Sequence, residues 1–209
     1  MTNSNDFSIQ DGEKLIKFAR ENIEFYLKNQ KEMEIPQILK ERYSTPLGAF
    51  VTLSKKSHFK FSEQKELRGC IGITQPVYPL IQTIAHVSLS AAFDDPRFPP
   101  ITTLKDIVLE ISILTVPELI SVKNPVDYLT YIQIGKDGLV IQKDIHKGLL
   151  LPQVPIENDR NWDVQTFLEH LSMKASLPRD AWKQTGVQIF KFQALIFEED
   201  EPNGKIEMK

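Results

Sequence analysis

The chain has 209 residues, 41% of them hydrophobic and 25% charged, a composition that excludes wholesale disorder and leaves room for one domain or two small lobes. Lys and Arg number 25 against 28 Asp and Glu, a formal net charge of −3, so no global field recruits nucleic acid or an anionic membrane surface. One cysteine excludes an internal disulfide framework, the four histidines lack metal-finger spacing, no apolar run approaches the ~18 residues of a membrane span, and the opening MTNSNDFSIQDGEK is not a secretory signal.

The first predicted element is a helix over residues 11–30, where Leu15, Ile16, Ala19, Ile23, Tyr26 and Leu27 form one stripe and Ser8 or Asp11 can accept from the free amides at its start. Residues 30–45 read as a connection, with Pro36 and Pro46 as breakers. LGAFVTLS (47–54) alternates as a strand, a polar stretch follows, and LRGCIGI (67–73) is the second strand. A helix over 79–93 starts at Pro79, with His86 on its polar face, and stops at DDPRFPP (94–100), because residues before proline leave helical geometry. VLEISILT (108–115) is another strand, a short helix follows Pro125, and IQIGKDGLVIQ (132–142) is a hairpin turning at Asp137-Gly138. LLLPQV (149–154) is an edge strand containing Pro152, and residues 162–175 form a helix. VQIFKFQALIFEE (187–199) is one long strand, and residues 200–209 have too few apolar side chains to pack, so a mobile tail is expected.

Two halves share an element order: a strand entered at Gly48 or Gly138, a second strand at 67–73 or 149–154, and a helix ending in Ala-Ala or Ala-Ser. A duplicated strand-and-helix unit follows, in which the strands carrying Cys70 and Gln153 hold related positions. Neighbouring strands read as antiparallel and helices do not alternate singly with them. The expected fold class is therefore α+β, a mostly antiparallel sheet with helices in two lobes, about 8–115 and 116–199.

The chemistry concentrates in LRGCIGI. Alternation places Leu67, Gly69, Ile71 and Ile73 on one face and Arg68, Cys70 and Gly72 on the other. Two glycines within seven strand residues imply close approach of a backbone or a ligand, and Arg68 beside Cys70 would favour the nucleophilic thiolate. The plainer alternative is a small buried thiol, packing glycines and an ordinary ion-pair arginine.

These residues resemble the AMMECR domain family, whose hallmark is the segment Leu67-Arg68-Gly69-Cys70-Ile71-Gly72. The resemblance extends through Gly48-Ala-Phe-Val-Thr-Leu, Ala91-Ala92, Asp95-Pro96-Arg97-Phe98, LEISILT, Gly138, Leu150-Leu151-Pro152-Gln153-Val154, Trp162, Lys174-Ala175, Trp182 and Phe197-Glu198-Glu199, about residues 11–199. Ser176 departs from the glycine common at that turn. The resemblance implies a two-lobed α+β fold and a cleft lined by the RGCIG segment, and it implies no reaction. Prokaryotic members of this kind belong to the AmmeMemoRadiSam association, alongside Memo-like proteins and radical S-adenosylmethionine enzymes.

The candidate site is Cys70 as nucleophile or acid/base group, with Arg68, Gly69, Gly72, Asp95, Arg97 and Gln153 contacting the occupant; Arg68 and Arg97 would clamp an anion. His58, His146 and His170 read as structural or exposed, and Trp162 and Trp182 as core anchors. Two readings follow for a cytosolic protein with no cofactor or metal. In the first, the cleft acts on a small-molecule or modified-protein substrate. In the second, a non-catalytic module receives a peptide of a Memo-like or radical S-adenosylmethionine protein.

Overall fold

The amphipathic stripe near the start becomes helix α1, Ile9–Asn29, in the computed structural model, which describes residues 7–56, 65–156 and 160–209. His58 lies outside the described residues. Ser8 and Asp11 cap α1 reciprocally: the Ser8 side chain accepts from the Asp11 amide, and the Asp11 carboxylate accepts from the Ser8 N–H at 2.9 Å. The expected connection contains a short helix, α2 (Gln37–Arg42). Next come strands β1 (Ala49–Lys56) and β2 (Lys65–Ile73), then helix α3 (Leu80–Leu89), which widens into one π-helical turn, Ser90–Asp94. Strand β3 (Ile107–Leu114) and the short β4 (Glu118–Leu119) precede a 3₁₀ turn at Pro125 and helix α4 (Tyr128–Tyr131). The chain continues through β5 (Gly138–Lys143), β6 (His146–Leu150), α5 (Val164–Lys174), β7 (Gln188–Phe192), β8 (Ala194–Glu199) and β9 (Ile206–Met208).

The fold class is α+β. The described residues up to Leu114, together with Leu195–Lys209, make one compact unit, and Thr115–Ala194 make the second. The first unit holds a five-stranded sheet in the order β2-β1-β3-β8-β9. Its helix-facing side carries Ala49, Val51 and Leu53 of β1 with Leu109, Ile111 and Ile113 of β3, all buried against Leu15, Ile16, Ala19 and Ile23 of α1 and Leu80, Ile84 and Val87 of α3. The other side carries the alternate residues Phe50, Thr52 and Ser54, which are half-buried. Arg20 and Glu199 form a buried pair that ties α1 to the sheet, and the Glu199 carboxylate also accepts from the Leu109 N–H at 2.9 Å.

The second unit has its own four-stranded sheet, β4-β7-β5-β6, and its own core, in which Leu139, Ile141, Phe167, Leu168, Leu171, Trp182 and Ile189 are buried. Each unit thus contains an antiparallel hairpin followed by a helix, β1-β2-α3 and β5-β6-α5. The correspondence reaches single residues. A Cβ at Gly69 would lie 2.0 Å from the Ala91 carbonyl oxygen, and one at Gly148 would lie 2.7 Å from the Ala175 amide nitrogen. In both, a strand glycine admits the C-terminal backbone of the following helix.

Four expectations need correction. Residues 187–199 are two strands in different sheets, and β8 returns to the first unit, so the boundary at 115–116 encloses only part of that unit. Asp137-Gly138 does not turn a hairpin: the Asp137 carboxylate accepts from the Gln133 N–H at 2.9 Å, closing a tight turn before β5, and the hairpin turns at Asp144, whose φ is 52°. Strand β6 ends at Leu150, so Pro152 and Gln153 lie in turns beyond it. The C-terminal residues are not a loose tail. β9 pairs with β8, Ile206 is buried in the first core, and Lys209 pairs with Glu198. Deleting residues 206–209 should therefore destabilise the first unit by about 2 kcal/mol, the worth of one buried isoleucine with its strand pairing; a calorimetric midpoint unchanged by the deletion would contradict that packing.

Candidate functional site

β2 lies at an edge of its sheet, where N–H and C=O groups on the outer side lack a strand partner. At Cys70 the DDPRFPP loop supplies the partners. The π-helical turn ends at Asp94, Pro96 keeps Asp95 extended (φ −71°, ψ 111°), and the turn closes with the Phe98 N–H donating to the Asp95 carbonyl at 3.1 Å. Asp95 then points at the strand. Its Oδ2 accepts from the Cys70 N–H at 2.9 Å and from Arg97 Nη2 at 2.7 Å, while its Oδ1 accepts from Arg97 Nε at 2.9 Å and from the Arg97 N–H at 3.1 Å. Arg97 Nη2 also donates to the Cys70 carbonyl at 3.1 Å. One carboxylate and one guanidinium thus cap both outward backbone groups of Cys70. The Arg97 hydrogen bonds hold the buried Asp95 carboxyl well below the usual carboxylate range, against the upward pull of burial.

The Cys70 side chain lies on the sheet side opposite the helices. The register pairs Cys70 with Thr52 and Thr52 with Glu110, a row across three strands. Thr52 Oγ1 donates to Cys70 Sγ at 3.2 Å. Burial pushes the thiol up from its ordinary value, and Glu110 and Asp95 push the same way; the Thr52 hydrogen bond and the Arg97 charge offset this only in part. Arg68 is not among the main influences on it, so the expectation that Arg68 stabilises a thiolate is corrected: burial shifts Cys70 towards the neutral thiol. Glu110, which accepts from Ser112 Oγ at 3.3 Å, is raised by its own burial and by Glu198.

Arg68 falls outside the strict alternation expected of this strand. The β1–β2 register passes from Leu53↔Gly69 to Ser54↔Leu67, a bulge that leaves Arg68 without an opposite residue. Its guanidinium turns to the loop, donates from Nη2 to the Pro99 carbonyl at 2.6 Å, and lies 5.8 Å from the Phe98 ring centroid. Arg68 Nη1 is buried without a hydrogen-bond partner.

Packing by itself accounts for both glycines of the motif. Gly69 admits the Ala91 carbonyl, and Gly72 lies under the Phe50 ring, which a Cβ would meet at 2.3 Å. The first unit therefore gathers Cys70, Arg68, Gly69, Gly72, Asp95 and Arg97 around one stretch of β2. Gln153 belongs to the second unit, where its Oε1 is buried without a partner. Among the histidines, His86 is exposed on α3, and His170 stacks on Trp162 with ring centroids 3.9 Å apart. No group of three His, Cys, Asp or Glu side chains among the described residues could hold a metal ion, and no described helix is long and apolar enough to cross a membrane. Sequence reading missed Thr52 and Glu110. The available signal was Glu110 itself, a carboxylate in the middle of the apolar run of β3.

The fold and site define a two-unit α+β protein in which a clipped edge strand displays a single cysteine. The chain belongs to the AMMECR1 family, whose profile matches residues 16–197. It is 46% identical over 203 residues to a protein of Methanococcus aeolicus, covering 95% of this chain and 96% of the relative. It is 45% identical to Protein MJ0810 of Methanocaldococcus jannaschii, again over 203 residues and 95% of both chains. Among solved structures, Uncharacterized Protein PH0010 from Pyrococcus horikoshii superposes with a TM-score of 0.83 at 42% identity, covering 95% of this chain and 96% of that one.

Proposed function

We propose that this chain is a cytosolic, non-catalytic binding module that takes a small molecule or a peptide segment at the β2 face around Cys70. The observation that carries this reading is the internal commitment of the charged groups next to the thiol. Asp95 and Arg97 are spent on each other and on the Cys70 backbone, and burial pushes the thiol of the strand they clip up from its ordinary value. A nucleophilic cysteine calls for the reverse, a thiolate beside an uncommitted cation or base. In this reading Asp95 and Arg97 are positioning residues, Gly69 lets the helical turn close behind the strand, Gly72 makes room for the Phe50 ring, and Cys70 and Arg68 face the occupant.

The family's association with Memo-like and radical S-adenosylmethionine proteins makes a segment of such a protein the first occupant to test. Isothermal titration of a purified Memo-like protein against the chain and its Cys70→Ser variant is the direct experiment. The variant keeps the approximate size and a hydrogen-bonding group but removes the sulfur, so a binding module should retain Kd within about threefold, less than the tenfold that 1.4 kcal/mol represents. No binding, or binding lost with the sulfur, would count against the module.

A further inference from the structure

We propose that Arg68 is the anchor for an oxyanion, a carboxylate or phosphate group, carried by whatever occupies the β2 face; this rests on the binding reading above and names the chemistry it recognises. Three features converge on this side chain. The first is its direction. The bulge between Leu53 and Ser54 leaves Arg68 unopposed in the ladder, and its guanidinium reaches the 95–99 loop that also clips Cys70.

The second is its rigidity. Nη2 is fixed on the Pro99 carbonyl and the guanidinium lies over Phe98, a residue flanked by the loop's prolines. A long side chain held in this way has little rotamer freedom left to lose when a ligand arrives.

The third is what the guanidinium lacks. Nη1 is shielded and has no acceptor, and among the described residues Arg68 makes no ion pair within 4.0 Å. The contrast with Arg97 is close at hand. Arg97 lies over the same Phe98 ring, at 5.4 Å, but its Nε and Nη2 are spent on Asp95 and the Cys70 carbonyl. Two arginines therefore flank one ring, and of the two only Arg68 has a buried donor without a partner. A guanidinium stays charged at any accessible pH, and its planar fork matches the paired oxygens of a carboxylate or phosphate. An oxyanion on Nη1 supplies both the missing acceptor and the missing counter-charge. The sequence assignment of Arg68 and Arg97 as a joint clamp narrows to Arg68 alone.

The test uses the whole chain and two defined probes, sodium acetate and inorganic phosphate, at pH 7 with ionic strength held constant by chloride. The wild-type unfolding midpoint should rise saturably, by about 2–4 °C at high occupancy, and the larger response identifies carboxylate or phosphate. Arg68→Gln should respond no more than to chloride. Because that variant also loses the Pro99 contact, the Arg68 Nε–Hε signal of the unmodified protein is followed by NMR, and it should move saturably with the same probe. A midpoint insensitive to both probes, a response retained in Arg68→Gln, or a static Arg68 signal would overturn the proposal. An anion response with no binding of a Memo-like protein would keep the oxyanion anchor and remove only the protein partner.

Discussion

Replacing Gly69 by valine should cost the first unit about 3 kcal/mol, at the upper end for overpacking a tight interior. The atom that a new Cβ meets is the backbone carbonyl oxygen of Ala91, 2.0 Å away, and not the end of a flexible side chain. Relief requires β2 to part from the π-helical turn Ser90–Asp94, and that turn leads directly into Asp95. The variant should therefore lose stability and, in whatever fraction folds, lose the clip on Cys70. Urea unfolding gives the first effect and native-state thiol labelling gives the second. A midpoint within about 0.5 kcal/mol of wild type would mean that strand and turn separate freely, and the close-approach account of the motif's first glycine would be wrong. The matching experiment in the second unit is Gly148→Val, where the Ala175 amide and Leu171 carbonyl stand in for Ala91.

Asp95→Ala should be the second large effect, about 2–3 kcal/mol, because it leaves the Cys70 N–H and the Arg97 guanidinium without their acceptor. Arg97 is half exposed and can turn to water, which keeps the cost below that of a fully buried pair. The carboxylate also gives this contribution a pH dependence with a definite sign. Its folded pKa is depressed, by the Arg97 hydrogen bonds first, so the stabilisation is fully present above the unfolded value of about 3.9 and is lost as pH falls below it towards the folded value. Wild type should lose stability between about pH 4 and pH 2 more steeply than Asp95→Asn. Parallel stability curves for the two proteins across that range would contradict the clip.

The elements were legible where local periodicity determines them. The α1 stripe, the alternation of β1 and β3 and the helix stop at Pro96 can all be read from the chain. The failures share a cause, which is that the deciding partner lies far away in sequence. Nothing local in residues 187–199 shows that β7 pairs with β5 while β8 joins the other sheet; the break falls at Gln193, whose N–H donates to Thr115 Oγ1. Ile206 and Met208 stand in a largely polar stretch, and only their pairing with Glu199 and Phe197 of β8 reveals a strand. In the candidate site, the motif brought Cys70, Asp95 and Arg97 to notice, but a single bulge took Arg68 out of the paired register, and strict alternation has no means of registering a bulge. Thr52 became relevant only through its register opposite Cys70.

The central claim is that burial shifts Cys70 towards the neutral thiol, on a strand held by a clip whose charges are spent internally. The most direct measurement is the pH dependence of iodoacetamide labelling of the single cysteine in the folded protein. The account predicts slow labelling at pH 7, a midpoint above the ~8.5 of a free thiol, and a midpoint that moves further up in Thr52→Val, which removes the hydrogen bond to Sγ. Rapid labelling at pH 7 with a midpoint below that of a free thiol would contradict it and return the site to nucleophilic chemistry.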